Sequence, residues 1–205
     1  MTDAPIFDSD AWRLTDQERQ LTTQARELGE TRFADRASRY DREAKFPIEN
    51  YRDLHDAGLL GICIPSEYGG HGANLRTYAL TAAEVGRYCG STALTWNMHV
   101  CSCLWSGTMA DDLEMDRAVR ERHHETRRVH YRRILDDGAI YSQPFSEGGS
   151  AAAGTVAFST TAVRCDGGWV IRGKKIFASL SGSADYYGTL CTELQHADDK
   201  PSRSN

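Results

Sequence analysis

Two short segments hold side chains whose types and spacing could do chemistry. The first, Tyr141-Ser142-Gln143-Pro144-Phe145-Ser146-Glu147-Gly148-Gly149-Ser150, sets an aromatic, a hydroxyl and a carboxylate side by side ahead of paired glycines. The second runs from Asp166 through Gly167-Gly168-Trp169-Val170-Ile171-Arg172-Gly173-Lys174-Lys175 to Ile176-Phe177-Ala178-Ser179, and ends on an aromatic and a hydroxyl. Taken singly, each has a structural reading: Ser146-Glu147 as a turn with a capping hydroxyl, Phe177 as a core aromatic at a strand end. Other candidates are weaker. His123, His124 and His130 share a charged stretch with Arg117, Arg120, Arg122, Arg127, Arg128, Arg132 and Arg133. A metal site would want imidazole or carboxylate at facing i, i+4 positions, and the match is partial. A solvated helix face balanced by Asp116, Glu121 and Glu125 is the reading adopted, with no metal expected. The loop Gly69-Gly70-His71-Gly72 has neither the preceding strand nor the G-x-G-x-x-G spacing of a phosphate-binding turn.

Positioning these groups requires a helical stretch followed by strands. Thr15 and Glu18 form a capping-box pattern, and Leu21, Ala25, Leu28, then Phe33, Ala37 and Tyr40 follow at helical spacing with one slip. That predicts one long amphipathic helix. Phe46-Pro47 opens a second helix with Pro47 in its first turn, and Gly58 is its natural stop. After the apolar run Leu59 to Ile64, Asn74 caps a third helix; Ser91 to Trp105 suits a buried helix and Asp111 to Leu135 a charged one. Around Asp136-Asp137-Gly138 the character changes. Strands are expected from Ala139, over Thr155–Phe158 and Thr160–Arg164, across the Asp166-Gly167-Gly168 turn, through Lys175–Ala178, and over Ala184–Cys191. The fold class is therefore α+β: an all-α N-terminal domain over 1–138, then an incomplete, barrel-like all-β domain over 139–205. So few strands have little to close against, and the sequence is expected to be interrupted.

The chain's 205 residues are 40% hydrophobic and 26% charged, enough to bury a core. A formal net charge of -5 argues against a nucleic-acid partner. No apolar stretch is long enough to span a bilayer, and the acidic, polar start lacks signal-peptide character, so no membrane insertion is expected. Cys63, Cys89, Cys101, Cys103, Cys165 and Cys191 are scattered without a C-x-x-C pair, and read as reduced thiols of a cytoplasmic protein.

Together the two chemical segments resemble the middle domain of the acyl-CoA dehydrogenase family, which has a Thr/Ser-Glu-Pro loop, a D-G-x-W/Y-x-I-x-G-x-K hairpin ending in aromatic-x-Thr/Ser, and then Ala-Asp, here Ala184-Asp185. Upstream, Tyr40-Asp41-Arg42-Glu43 with Phe46-Pro47, Gly58-Leu59-Leu60-Gly61, and Ile64-Pro65-Ser66-Glu67-Tyr68-Gly69-Gly70-His71-Gly72 follow in family order. The resemblance runs from about Leu14 to Cys191.

What the resemblance implies is an FAD-dependent oxidoreductase of fatty acid metabolism that desaturates an acyl-CoA thioester between its α and β carbons. Gln143, Phe145 and Ser146 would approach the flavin from the first loop; Phe177 would pack on its ring, with Ala178 giving backbone contacts and the Ser179 hydroxyl near N5. Position 148 is Gly where the family usually has Pro, and Ala152 stands nearest to a family serine that touches the pyrophosphate and the acyl-CoA, which puts that substrate contact in doubt. Glu147 fixes the loop in the family. The catalytic glutamate belongs to a C-terminal helical bundle, so the base is expected beyond this chain, and the chain alone is expected to be inactive. The implied partners are an acyl-CoA, an electron-accepting flavoprotein or other acceptor, and further copies of the full-length form. Two alternatives stay open: a flavin monooxygenase on the same scaffold, and a non-enzymatic helical remnant.

Overall fold

The computed structural model describes residues 10–108, 110–148 and 156–195. The chain divides into two compact units, Met1–Ile140 and Tyr141–Asn205.

The first unit is helical. Helix α1 (Asp16–Leu28) starts at the expected capping box: Thr15 Oγ1 accepts from the Glu18 amide, and the Glu18 carboxylate accepts from the Thr15 amide. One wide π-helical turn, Gly29–Phe33, follows, and α2 (Ala34–Glu43) continues the rod. The slip in apolar spacing between Leu28 and Phe33 is this turn. A π-turn takes one residue more than an α-turn, so Leu21, Ala25 and Phe33 all reach the core. Gly29 is required there, because a β-carbon would lie 2.1 Å from the Tyr88 ring. Helix α3 (Ile48–Asp56) begins one residue later than expected, with Pro47 at the cap position. It ends as the sequence indicates: Gly58 takes a left-handed φ of 71°, and its amide bonds the His55 carbonyl.

Residues Leu59–Ile64 form tight turns whose side chains are buried, and a short 3-10 turn, Ser66–Tyr68, leads into the glycine loop. In that loop a β-carbon at Gly70 would meet the Ile64 carbonyl oxygen at 2.1 Å. Asn74 caps α4 (Leu75–Tyr88) by accepting from the Thr77 amide, and α5 (Gly90–Gly107) follows. α1 packs on α4 and α4 on α5. A polar seam ties α2, α3 and α5: Arg36 donates to Asn50 at 3.1 Å and to Asp53 at 2.5 Å, Asn50 donates to Thr92, and the Tyr51 hydroxyl donates to Thr95.

Helix α6 covers Arg117–Leu135, shorter than the Asp111–Leu135 expected, because Asp111 instead turns back onto it. Its arginines are not all on a solvated face. Arg127 is only 4% exposed and donates to Asp111 at 2.8 Å and to the Tyr68 hydroxyl at 3.0 Å. The His124 ring nitrogen lies within hydrogen-bond reach of both Tyr68 and Arg127. A buried guanidinium needs this degree of pairing.

The second unit holds a parallel pair, β1 (Tyr141–Ser142) with β4 (Tyr186–Tyr187), and a three-stranded sheet in the order β3-β2-β5, from β2 (Thr161–Cys165), β3 (Gly168–Arg172) and β5 (Thr192–Leu194). The β2–β3 hairpin turns at Asp166-Gly167, with Val163 opposite Val170. Four strand expectations need correction. The strand expected from Ala139 begins at Tyr141. Residues 156–158 are not strand, and 155 lies outside the described residues. Lys175–Ala178 is not strand either, because Phe177 and Leu180 take left-handed φ values of 53° and 69° and turn the backbone. Only Tyr186–Tyr187 of Ala184–Cys191 pairs, whereas polar Thr192–Leu194 does, against β2, with Leu194 buried. A strand needs a partner more than it needs β-branched side chains. The architecture is a helical unit followed by a partial β unit, as the fold class anticipated.

Candidate functional site

The two chemical segments of the sequence meet in the second unit, pinned by main-chain and side-chain bonds. The Ile176 amide donates to the Ser146 carbonyl at 2.8 Å. Lys175 Nζ donates to the Phe145 carbonyl at 3.2 Å and to Glu147 Oε1 at 2.7 Å. Ser142 Oγ donates to the Ser179 carbonyl at 2.6 Å, and the Gly188 amide donates to the Ser142 carbonyl at 2.8 Å. These bonds join residues 28 or more positions apart, so the loop and the segment after the hairpin form one structure.

Glu147 is the hub. Its Oε1 accepts from the Thr160 amide and Lys175, and its Oε2 from the Ser159 amide and hydroxyl. Its side chain is 5% exposed and that of Lys175 is 9%. Burial alone would raise the carboxyl's pKa, but the hydrogen bonds from Lys175, Ser159 and Thr160 outweigh it and hold the group well below the usual carboxylate range. Such a group is committed to structure: with four donors on it and little affinity for a proton, it makes a poor base.

The remaining sequence candidates lie on the two segments that these bonds join. Gln143 is half-buried, and its Oε1 is buried without a partner among the described residues. Phe145 and Ser146 are half-buried; the Ser146 hydroxyl carries no hydrogen bond among the described residues. Phe177 is neither at a strand end nor in a core: it is 87% exposed on a left-handed backbone. Ala178 is half-buried and its carbonyl accepts from the Ser181 amide. Ser179 is exposed, with its amide bonded to the Phe177 carbonyl and its hydroxyl unbonded among the described residues. Ala152 lies outside the described residues.

An exposed aromatic, two uncommitted hydroxyls and a buried acceptor lacking a donor fit a planar, polar-edged ring system. Each of these groups would gain a partner from it. Sequence reasoning gave no role to Lys175, Ser142, Ser159 or Thr160, which hold the site together. The available signal was the position of Lys175 just past the hairpin, a basic residue placed to answer Glu147. No group of three metal-ligating side chains occurs among the described residues.

Comparison with known proteins bears on this arrangement. Residues 15–110 match the family described as acyl-CoA dehydrogenase, N-terminal domain. The cyclohex-1-ene-1-carbonyl-CoA dehydrogenase of Syntrophus aciditrophicus is 30% identical over 173 residues, which cover 84% of this chain and 39% of that protein. Among solved structures, butyryl-CoA dehydrogenase from Megasphaera elsdenii aligns with a TM-score of 0.68 at 23% identity, over 87% of this chain and 45% of that one. KijD3, solved in complex with FMN and a dTDP-linked keto sugar, aligns with a TM-score of 0.73 at 22% identity, over 90% of this chain and 42% of that one. At these identities the two structures speak for the fold. The chain thus spans about two fifths of the length of such relatives.

Proposed function

Because the chain belongs to the acyl-CoA dehydrogenase family, we propose that its second unit supplies one wall of an FAD site for the α,β-desaturation of an acyl-CoA thioester. In this reading residues 1–138 are the family's N-terminal helical domain and 139–205 part of its middle domain. The observation that carries the proposal is the joining of the Ser146 loop to the Phe177 segment through Lys175, Glu147 and the Ile176–Ser146 bond.

Each residue then has a task. Phe177, held out at 87% exposure, packs on the ring. The hydroxyls of Ser146 and Ser179 donate to the ring's polar edge, and Gln143 accepts from a ring N–H. Phe145 and the Ala178 backbone complete the wall. Bound flavin supplies the hydride acceptor for the β-hydrogen. The residue that removes the α-proton is assigned outside the described residues: Glu147 is spent on four donors and cannot turn toward a substrate without breaking them. An electron-accepting flavoprotein as redox partner, and assembly with further copies, are part of the same reading.

The test is flavin titration of the full chain, followed by fluorescence quenching, with FAD and FMN in parallel. FAD is expected to bind more tightly than FMN, and Ser179→Ala and Ser146→Ala to weaken it by roughly tenfold each, about one hydrogen bond. A chain with intact helical circular dichroism that leaves FAD fluorescence unchanged up to about 100 µM would remove the basis of the reading. Preference for FMN would instead favour the monooxygenase chemistry known on this scaffold.

A further inference from the structure

Residues 178–181 form a β-turn, closed by the Ser181 amide donating to the Ala178 carbonyl at 3.0 Å. Leu180, third in the turn, has a left-handed φ of 69°, and Ser179 before it is not left-handed. That is a type II turn, whose third position suits glycine or asparagine. Leucine there is strained. The strain is absent from a type I turn, which is reached by flipping only the peptide between Ser179 and Leu180.

That same peptide is held from one side. Its carbonyl, on Ser179, accepts from Ser142 Oγ at 2.6 Å. Ser142 is fully buried on β1, and its own carbonyl accepts from the Gly188 amide at 2.8 Å. A flip would strip the buried hydroxyl of its acceptor. In a trans peptide the carbonyl and the N–H point opposite ways, so the bond turns the Leu180 amide away from Ser142. That amide is uncommitted among the described residues, although Leu180 is only 5% exposed.

We propose that Ser142 is a positioning residue: it holds this peptide with its donor outward, so that the Leu180 amide joins the Ser179 hydroxyl at the flavin's polar edge. The second half of that statement rests on the flavin reading above. Flipped, the peptide would set a carbonyl oxygen where the amide stood. A donor there favours the electron-rich reduced ring and an acceptor opposes it. Loss of the Ser142 hydroxyl therefore acts on the reduced form more than on the oxidised one.

Two measurements on the full chain test this. Without flavin, nuclear Overhauser spectra read the turn: type II brings the Ser179 Hα close to the Leu180 amide, whereas type I brings the two amides together. The wild type and Ser142→Thr, which keeps the hydroxyl, should show the first cross-peak. Ser142→Ala and Ser142→Val, the latter matching threonine in shape, should lose it while the cross-peaks of the helical unit stay. With FAD, Ser142→Ala should weaken binding of the reduced form roughly tenfold more than that of the oxidised form, a midpoint potential about 30 mV lower for a two-electron couple. Loss of packing alone would weaken both forms alike. A Ser179 Hα cross-peak that survives Ser142→Ala overturns the proposal, as does an unchanged potential in a variant whose turn has flipped. A chain whose turn depends on Ser142 but that takes up no FAD refutes the flavin reading, and with it the role given to the Leu180 amide, and leaves the hold on the turn established.

Discussion

Replacing Lys175 by Met isolates the interaction on which the candidate site rests. The substitution keeps an unbranched side chain of similar length but removes the cation that Glu147 faces at 2.7 Å, and the donor that the Phe145 carbonyl accepts from at 3.2 Å. Both side chains of the ion pair are more than nine-tenths buried. Removing one partner of a buried pair costs about 3–5 kcal/mol. Glu147 keeps the Ser159 and Thr160 donors, so the lower end applies, and about 3 kcal/mol corresponds to roughly a hundredfold change in local opening. Hydrogen exchange read by mass spectrometry on peptides covering 141–148 and 172–180 should show that loss of protection, with the helical unit unaffected. The pH dependence gives a second check. In the wild type the folded Glu147 carboxyl is held below its ordinary value of 4.5, so its contribution is fully present above that pH and is lost as pH falls through the depressed folded value. Without Lys175 the folded value rises, the carboxyl can be neutralised, and the deficit of the variant should narrow as the pH drops below about 4.5. A variant whose protection falls less than fivefold, or whose deficit is the same at pH 4 and pH 7, would refute the idea that this pair holds the two segments together.

Two further outcomes follow from the helical unit. Gly29→Ala should lower stability by about 1–3 kcal/mol, since the new methyl would overlap the Tyr88 ring at 2.1 Å; in urea titrations, the penalties of Gly29→Ala and Tyr88→Ala should sum to more than that of the double variant. Burial pushes the His99 imidazole down to about 4, with a backbone hydrogen bond at Leu60 acting the other way. The unfolded chain therefore binds a proton that the folded one does not between pH 6.5 and about 4, so stability should fall as pH drops through that window, and His99→Gln should flatten the slope of thermal midpoint against pH.

Much of this architecture is legible in the residues because its signals are local. Thr15 with Glu18, Asn74, Gly58 and the Asp166-Gly167 turn each act on backbone groups within a few positions, and each sits where its chemistry places it. The broken spacing between Leu28 and Phe33 was visible too, although spacing alone does not say whether a helix bends, ends or widens. What could not be read was long-range. Nothing near Arg127 in sequence distinguishes it from Arg128, yet one is buried against Asp111 and Tyr68 while the other lies exposed. Lys175–Ala178 has the composition of a strand, and it fails to be one because Phe177 takes a left-handed φ and the Ile176 amide is spent on the Ser146 carbonyl. At the candidate site, Phe177 and the serines were identifiable from their motif, whereas the pins beneath them come from Ser142, Ser159 and Thr160, ordinary residues given importance only by what they meet.

The wide turn at Gly29–Phe33 also fixes the phase of everything after it. A regular helix advances about 100° per residue, and this turn takes up one residue more than an α-turn without advancing the winding. Wound as α with every residue kept, the rod beyond it would rotate by that angle, carrying Arg36 away from Asp53 and Tyr40 from its buried seat. The widened turn works as a phase corrector between two helices that share an axis, so excising one of its residues would leave plain α winding with the same faces inward, whereas a single-residue deletion elsewhere along the rod would turn them out.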